Sequence, residues 1–267
     1  MHEYGIRRIK PNELLCLLLL MGIVVPGCSS TRAKDLIEWV RPKTSADYLN
    51  MALESNQADV RRRGVIGLSE SNDAQSAWAV KVFDTIARTD TDVMVRCAAL
   101  RALKPVVDAE RIPTALKLLR SADEMIVDVR PAPPTVRWSA ARLLWVAVRA
   151  GAYREDQRES ILDTLSSRLA VEADPNTRLA MVETLGYFQN ERVLPMLIDA
   201  MEQDDFAAQH AAENALAVLT GQTYGHDPAA WRQWLGETDE PFAHAGEMPE
   251  ELVTEHSKPK WDWLAGW

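Results

Sequence analysis

The chain has 267 residues, of which 47% are hydrophobic and 26% are charged, and its formal net charge at pH 7 is −9. This length suits one large domain or a modest array of repeats, and the hydrophobic content is sufficient for a core. A surface that binds nucleic acid needs an excess of Lys and Arg on one face, and the sequence shows no basic stripe. We therefore expect no nucleic acid among its partners.

The first 27 residues have the organisation of an export signal. Arg7, Arg8 and Lys10 form a short positive region, and an uninterrupted apolar run follows at 14–25. This run is too short to cross a bilayer, which takes about 20 helical residues, but it has the length of a signal-peptide core. We expect residues 1–27 to be removed on export.

A small residue stands directly before a cysteine at the end of this run, in Val25-Pro26-Gly27-Cys28. The four residues resemble the lipobox of bacterial lipoproteins, in which the cysteine is lipidated and becomes the mature N-terminus. The resemblance implies lipidation of Cys28 and attachment to the membrane through the N-terminal lipid. Ser29 is not aspartate, so the sorting rule of that family implies the outer membrane, on its periplasmic side. An uncleaved signal anchor, or a signal peptide that is cut elsewhere, is the alternative.

A short amphipathic stretch at 33–40 lies within the segment 28–45, which links the anchor to the rest of the chain. We interpret this stretch as an N-terminal capping helix that covers the open face of the first repeat. Pro42 ends it, because proline cannot continue a helix.

A nine-residue pattern recurs five times between residues 46 and 220. Its second position is an arginine in four copies, and its last position, seven residues later, is always leucine. The second positions are Arg61, Arg96, Arg137, Arg178 and, in the fifth copy, Gln209. The leucines are Leu68, Leu103, Leu144, Leu185 and Leu216. The first and last positions of the pattern are eight residues apart, close to two helical turns, so they share one face of a helix.

A second helical pattern precedes the copies, with apolar residues at i, i+3, i+4 and i+7. It occurs at 75–88, 111–120, 156–170 and 191–202. Asp92, Asp174 and Asp205 each stand four residues before the second position of a copy, where a helix N-cap belongs. The unit is therefore helix, turn, helix. One such hairpin cannot bury its apolar face alone, so the hairpins are expected to stack.

This repeated unit is similar to HEAT repeats, including the variety with the short motif D-x-x-V-R-x-x-A-x-x-A-L. The resemblance implies an all-α fold, a right-handed α-solenoid of about five HEAT-type helical hairpins with short capping helices. It also implies that the four arginines form a ladder between neighbouring repeats, and that the arginines and leucines are stacking residues. A helical bundle whose similarity is accidental is the alternative.

Two segments interrupt or close the predicted stack. Residues 123–134 contain three prolines and predict a non-helical insertion, which is either a contact element or a tolerated surface loop. Residues 221–236 predict a C-terminal capping helix, with Asp227 as its N-cap and Pro228 at its first position. Trp231, Trp234 and Leu235 form the apolar face of that helix.

The remaining residues, 237–267, form a tail with eight acidic and two basic side chains. We expect this acidic tail to be largely disordered in isolation. It ends with Trp261, Trp263 and Trp267, which are candidate contacts for a partner. Folding of these tryptophans back onto the solenoid is an equally weighted alternative.

The sequence lacks the recognisable motifs of catalysis and of cofactor binding that were sought, such as G-x-S-x-G, a Walker A loop and H-E-x-x-H. Cys97 follows an apolar helical pattern and is predicted to be buried. His210 and Glu213 are three residues apart on a helix, but the spacing supplies no third metal ligand. We predict no catalytic residue, no metal, no cofactor and no small-molecule substrate.

Two hypotheses for the function follow. The first is a non-enzymatic, lipid-anchored scaffold of the bacterial cell envelope that binds another envelope protein, whose identity the sequence does not give. The second is an enzyme, or an accessory subunit of one, since HEAT-like proteins that resemble this chain include lyase subunits and DNA glycosylases. Those two activities act on intracellular substrates, whereas the predicted signal peptide would export this chain. The scaffold is therefore favoured.

Overall fold

The computed structural model describes residues 41–120, 132–247 and 249. The chain divides into two units, 1–43 and 44–267, and every described helix belongs to the second unit. Several sequence predictions lie outside the described residues and stay predictions. These are the signal peptide 1–27, Cys28, the stretch 33–40, most of the insertion 123–134, and Trp261, Trp263 and Trp267.

The described residues form eleven α-helices and no strand. In chain order the helices are α1 (Ser45–Glu54), α2 (Ala58–Ser69), α3 (Ala77–Thr89), α4 (Val93–Leu103), α5 (Ile112–Leu119), α6 (Pro134–Arg149), α7 (Arg158–Leu169), α8 (Pro175–Leu185), α9 (Val193–Ala200), α10 (Phe206–Thr220) and α11 (Pro228–Glu237). Short 3-10 turns occupy Lys104–Val106, Ala109–Arg111 and Glu155–Gln157. The all-α prediction is confirmed for this part of the chain.

Consecutive helices pair into five hairpins, α1–α2, α3–α4, α5–α6, α7–α8 and α9–α10. The second helix of each hairpin carries the repeated nine-residue pattern. Second helices pack against one another in the order α2, α4, α6, α8 and α10, and first helices from α3 onward pack in a separate layer. The capping helix α11 packs on α9 in the layer of first helices. The predicted α-solenoid of about five hairpins is confirmed.

The starts of the helices follow from local sequence. Asp92, Asp174 and Asp205 are the N-caps of α4, α8 and α10, and Asp227 is the N-cap of α11. Each aspartate side chain accepts hydrogen bonds from backbone N–H groups that the first helical turn leaves without a partner. The prediction that residues 123–134 are non-helical was wrong at the last residue of that segment. Helix α6 begins at Pro134, inside the segment expected to be non-helical, because proline is tolerated at the first helical position.

The core runs along the interface between the two layers. The five pattern leucines, Leu68, Leu103, Leu144, Leu185 and Leu216, are all completely buried. Close helix approach needs a small residue in the first hairpin, where an added Cβ on Gly64 would lie 2.4 Å from the backbone nitrogen of Ala52. None of the described helices is long and apolar enough to cross a membrane.

Candidate functional site

The arginines of the repeated pattern reach across to the following hairpin. Arg61 donates from Nε and Nη2 to the two carboxylate oxygens of Asp90, both at 2.8 Å. Arg137 donates in the same way to Glu172, at 2.8 and 2.7 Å. Each acid lies in the turn before the second helix of the next hairpin, so a bidentate pair joins the two neighbours.

A single position in the repeat determines which arginines find such a partner. Both acids stand six residues before the pattern arginine of their own hairpin. In the third hairpin Pro131 occupies that position, and Arg96 of the second hairpin donates instead to a backbone oxygen of α3 at 3.0 Å. In the fifth hairpin the position is Gln203, and Arg178 lies 3.7 Å from the nearby Asp205.

The carboxylate of Glu172 is the most constrained member of this ladder. Burial alone would raise its pKa, but hydrogen bonds from Arg137 and Arg168 and from the backbone N–H of Asp174 outweigh the burial. The pKa of Glu172 is consequently lowered to about 2. These side chains are engaged inside the stack, so a binding surface has to be sought elsewhere.

One face of the second-helix layer carries a different set of side chains, which we call the cationic patch and which ranges from the buried Trp145 to exposed arginines. Its members are Arg101 and Lys104 at the end of α4, Arg142, Trp145 and Arg149 of α6, and Glu183 and Tyr187 at the end of α8. The patch therefore spans the second, third and fourth hairpins.

Trp145 lies at the centre of the cationic patch. The guanidinium carbons of Arg142 and Arg149 lie 4.3 and 5.0 Å from the centre of its ring, because residues three and four positions away share its face of α6. The ring of Tyr187 meets the indole nearly at right angles, with 6.4 Å between centroids. Cations over an indole face are attracted by its quadrupole, so the ring of Trp145 helps to hold both arginines in place.

Arg142 also donates from Nη1 to Glu183 at 2.8 Å, which joins α6 to α8. Burial raises the pKa of Glu183 in spite of this partner. Burial, followed by the positive charges of Arg142 and Arg101, lowers the pKa of Lys104 to about 8. The patch thus holds four cations and one carboxylate, which pairs with Arg142, so an additional anion would offset its excess of positive charge.

The layer of first helices shows the opposite balance. Two exposed arginines there each contact two carboxylates at 2.5 to 2.7 Å. They are Arg192, with Glu159 and Asp163, and Arg232, with Asp199 and Glu202. These two arginines are therefore satisfied within the protein, whereas the cations of the cationic patch outnumber its acids in a chain whose overall charge is negative.

The exposed face of α6 extends the patch toward the start of that helix. Trp138 lies four residues before Arg142 and is 41% exposed, while Tyr187 on the other side of the patch is 44% exposed. Large aromatic side chains next to arginines are the residues that most often anchor protein–protein contacts. The arrangement suits a partner segment that offers carboxylates together with apolar or aromatic groups.

The sequence reasoning did not find this patch, although a signal for it exists. Arg101, Arg142 and Glu183 each stand five residues after the pattern arginine of their hairpin. Because stacked repeats place equivalent positions side by side, these three side chains form a column across the layer. A comparison of this position across the five copies of the pattern would have indicated a row of three charged side chains.

The described residues also include one group of three side chains with metal-ligand chemistry, His210, Glu213 and His226. Two of these, His210 and Glu213, were recognised as a pair from the sequence, whereas His226 was not. The third ligand comes from the turn between α10 and α11, whose path the sequence spacing does not reveal.

Comparison with known families supports the repeat class that the hairpins define. Residues 128–217, which contain the fourth hairpin, the second helix of the third and most of the fifth, match the family model for HEAT repeats. The match supports a HEAT-repeat protein and, with the pairwise packing of the helices, a HEAT-type α-solenoid. A search of curated proteins gives no match.

Proposed function

We propose that this chain is a non-enzymatic, lipid-anchored scaffold of the bacterial cell envelope, which binds another envelope protein through the cationic patch. HEAT repeats suggest a helical repeat scaffold for protein interaction, and the family match supports that role. The observation that carries the choice of this surface is that Arg101, Lys104, Arg142 and Arg149 outnumber Glu183, the carboxylate that pairs with Arg142.

The partner that fits this surface is an acidic segment that also carries an aromatic or apolar residue. Charge complementarity would steer its approach and fix its register. Trp138 and Tyr187 would supply apolar contact area at the edges of the patch. The tail tryptophans, Trp261, Trp263 and Trp267, are proposed as a second contact with the same or another partner.

Crosslinking in intact cells tests the patch. A photoreactive amino acid at Trp138 or Tyr187 should capture one protein that can then be purified and shown to bind directly. The same amino acid at Lys81, which is exposed on α3, is the control for non-specific capture. Equal capture from both layers would contradict a specific binding face.

Charge reversal supplies a second readout. Arg101→Glu with Arg149→Glu should abolish the crosslink, because both side chains are exposed and neither is needed to pair a described carboxylate. Lys81→Glu with Lys117→Glu makes the same change of net charge on first helices and should leave the crosslink intact. A crosslink that survives the patch reversal would mean that the cations do not hold the partner.

Lipid anchoring is proposed from the resemblance of residues 25–28 to a lipobox. Cys28→Ala should move the protein out of the membrane fraction and prevent incorporation of labelled palmitate. Cys97→Ala is the matched control, since the Cys97 thiol is buried in α4 and should not affect labelling. A Cys28→Ala protein that still sediments with membranes and still carries label would exclude this anchor.

A further inference from the structure

His210, Glu213 and His226 meet at one side of the last hairpin. His210 and Glu213 stand three residues apart on α10 and therefore share a face of that helix. The turn that follows α10 returns along the helix and places Nε2 of His226 at 3.0 Å from Oε2 of Glu213. One potential ligand atom from each of the three side chains lies within 4.8 Å of the other two.

The described residues give the buried carboxylate of Glu213 no partner with a permanent positive charge. Its side chain is only 7% exposed, and the ion pair that the structure gives it is with His226. Its other polar contact is the hydroxyl of Thr223, at 3.4 Å. Other buried acids here, such as Glu172, are paired with arginines, which carry a permanent charge. A buried carboxylate without such a partner is costly, and a bound cation would remove that cost.

From this geometry we infer that His210, Glu213 and His226 bind a divalent transition-metal ion of the zinc class. Two imidazole nitrogens and one carboxylate oxygen form a recurrent protein ligand set for Zn²⁺, with a fourth position left to water. Mg²⁺ and Ca²⁺ prefer sites made of oxygen ligands and fit this set poorly. His210 is exposed, so solvent reaches the open coordination position.

The separations between the ligand atoms are compatible with such an ion. Zn–N and Zn–O bonds of about 2.0–2.2 Å in a tetrahedral site place neighbouring ligand atoms roughly 3.3 Å apart. The Glu213–His226 distance of 3.0 Å is already close to that value. Small rotations of the exposed imidazole of His210, whose ring stacks on Phe206 with 6.2 Å between centroids, would bring in the third ligand.

The ion would join the last hairpin to the capping helix. His226 directly precedes Asp227, the N-cap of α11, and follows Gly225, whose carbonyl accepts a hydrogen bond from the indole Nε1 of buried Trp231 at 3.0 Å. An ion that fixes His226 against α10 would therefore also fix the turn from which α11 begins. Metal binding should consequently stabilise the C-terminal end of the stack, and stability is a readout that does not depend on any activity.

Calorimetric titration of Zn²⁺ into the full chain, after treatment with a chelator, tests the site. We expect one ion per chain and a Tm that rises with the concentration of Zn²⁺. His210→Gln, Glu213→Gln and His226→Gln should each weaken binding by more than about tenfold, since even residues that only hydrogen-bond to a metal ligand contribute about 10- to 100-fold. X-ray absorption at the zinc edge should show two imidazole ligands in the wild-type protein and one in His226→Gln.

The chain contains its own control pair. His244 lies 3.1 Å from Glu247, three residues away and exposed, and the described residues offer this pair no third ligand. His244→Gln should therefore bind Zn²⁺ as the wild type does, and circular dichroism should show that all variants remain folded. The inference is overturned if Zn²⁺ fails to bind stoichiometrically. It is equally overturned if His210→Gln with His226→Gln binds as tightly as the wild type, or if Mg²⁺ is preferred.

Discussion

Arg137 of the third hairpin and Glu172 of the fourth form a bidentate ion pair in which the acid is fully buried. Nε and Nη2 of the arginine donate at 2.8 and 2.7 Å, and the side chain of Glu172 has no exposed surface. The third donor, Nη1 of Arg137, bonds the backbone oxygen of Ala132 at 2.7 Å. One side chain thus joins two hairpins and also fixes the segment that leads into α6.

We expect Arg137→Met to destabilise the protein substantially. Methionine keeps much of the apolar stem but leaves Glu172 buried with only Arg168 as a charged partner. Removing one partner of a buried pair costs about 3–5 kcal/mol in free energy of unfolding, and the remaining arginine favours the lower end of that range. Chemical denaturation measures the change.

Arg192→Met is the matched control for that experiment. Arg192 also joins two hairpins, through Glu159 and Asp163, but all three side chains are about half exposed or more. Exposed pairs are solvated and screened, so little change in stability is expected. Equal losses in the two variants would mean that burial does not determine the strength of these inter-hairpin pairs.

Glu172 should also make the stability of the stack depend on pH. Its pKa is lowered from 4.5 to about 2 in the folded protein, so the unfolded chain takes up a proton at a higher pH than the folded one. The stabilisation is therefore complete above about pH 5 and is lost as the pH falls toward 2. The free energy of unfolding of wild type minus that of Glu172→Gln should shrink over this range. A constant difference would contradict the proposed linkage.

We predict that substitution by alanine has opposite effects on stability at two glycines, Gly64 and Gly236. Gly64→Ala would place a methyl group against the backbone of α1, 2.4 Å from the nitrogen of Ala52, and overpacking of this kind costs about 1–3 kcal/mol. Gly236 lies in α11 with no atom within 4 Å of an added Cβ, so Gly236→Ala should stabilise by up to about 1 kcal/mol through helix propensity. Thermal unfolding of both variants measures the signs. A stable Gly64→Ala would show that α1 and α2 can separate.

The helices and their caps could be predicted from sequence because the responsible interactions are local. Asp174 caps α8 through a hydrogen bond to an N–H three residues away, and Pro175 follows it at the first helical position. The leucines were equally predictable, since a period of two helical turns fixes the buried face. Such patterns need no knowledge of which hairpin lies beside which.

The binding surface and the metal site were not predictable in the same way. Arg142 and Glu183 are 41 residues apart and meet only because stacked hairpins align their equivalent positions. His226 reaches Glu213 through a turn that contains Gly221 at φ 70° and Gly225 at φ 59°. Backbone at positive φ reverses direction in ways that a helical pattern does not encode. Contacts between residues that are far apart in the sequence could therefore be recognised only from the structure.

Lys104 offers a direct probe of the electrostatics of the cationic patch. Its pKa is lowered from 10.5 to about 8, first by burial and then by the charges of Arg142 and Arg101. Arg101→Gln removes one of these charges from an exposed position three residues away, so the pKa of Lys104 should rise but stay below 10.5, because burial persists. NMR titration of the Lys104 side chain between pH 6 and 11 measures this pKa. Arg63→Gln on α2 is the control and should leave the pKa of Lys104 unchanged.

The lowered pKa of Lys104 also predicts how the free energy of unfolding depends on pH. Because the folded pKa of Lys104 lies below the unfolded value, the buried charge destabilises the folded protein fully below about pH 8, and this penalty disappears as the pH rises toward 10.5. Lys104→Met should accordingly be more stable than wild type at pH 7, and the difference should narrow through that window. Binding of the proposed acidic partner should have a related effect, since a carboxylate beside Lys104 would raise its pKa and stabilise the charged form. A Lys104 titration unchanged by a bound acidic partner would place the contact elsewhere on the solenoid.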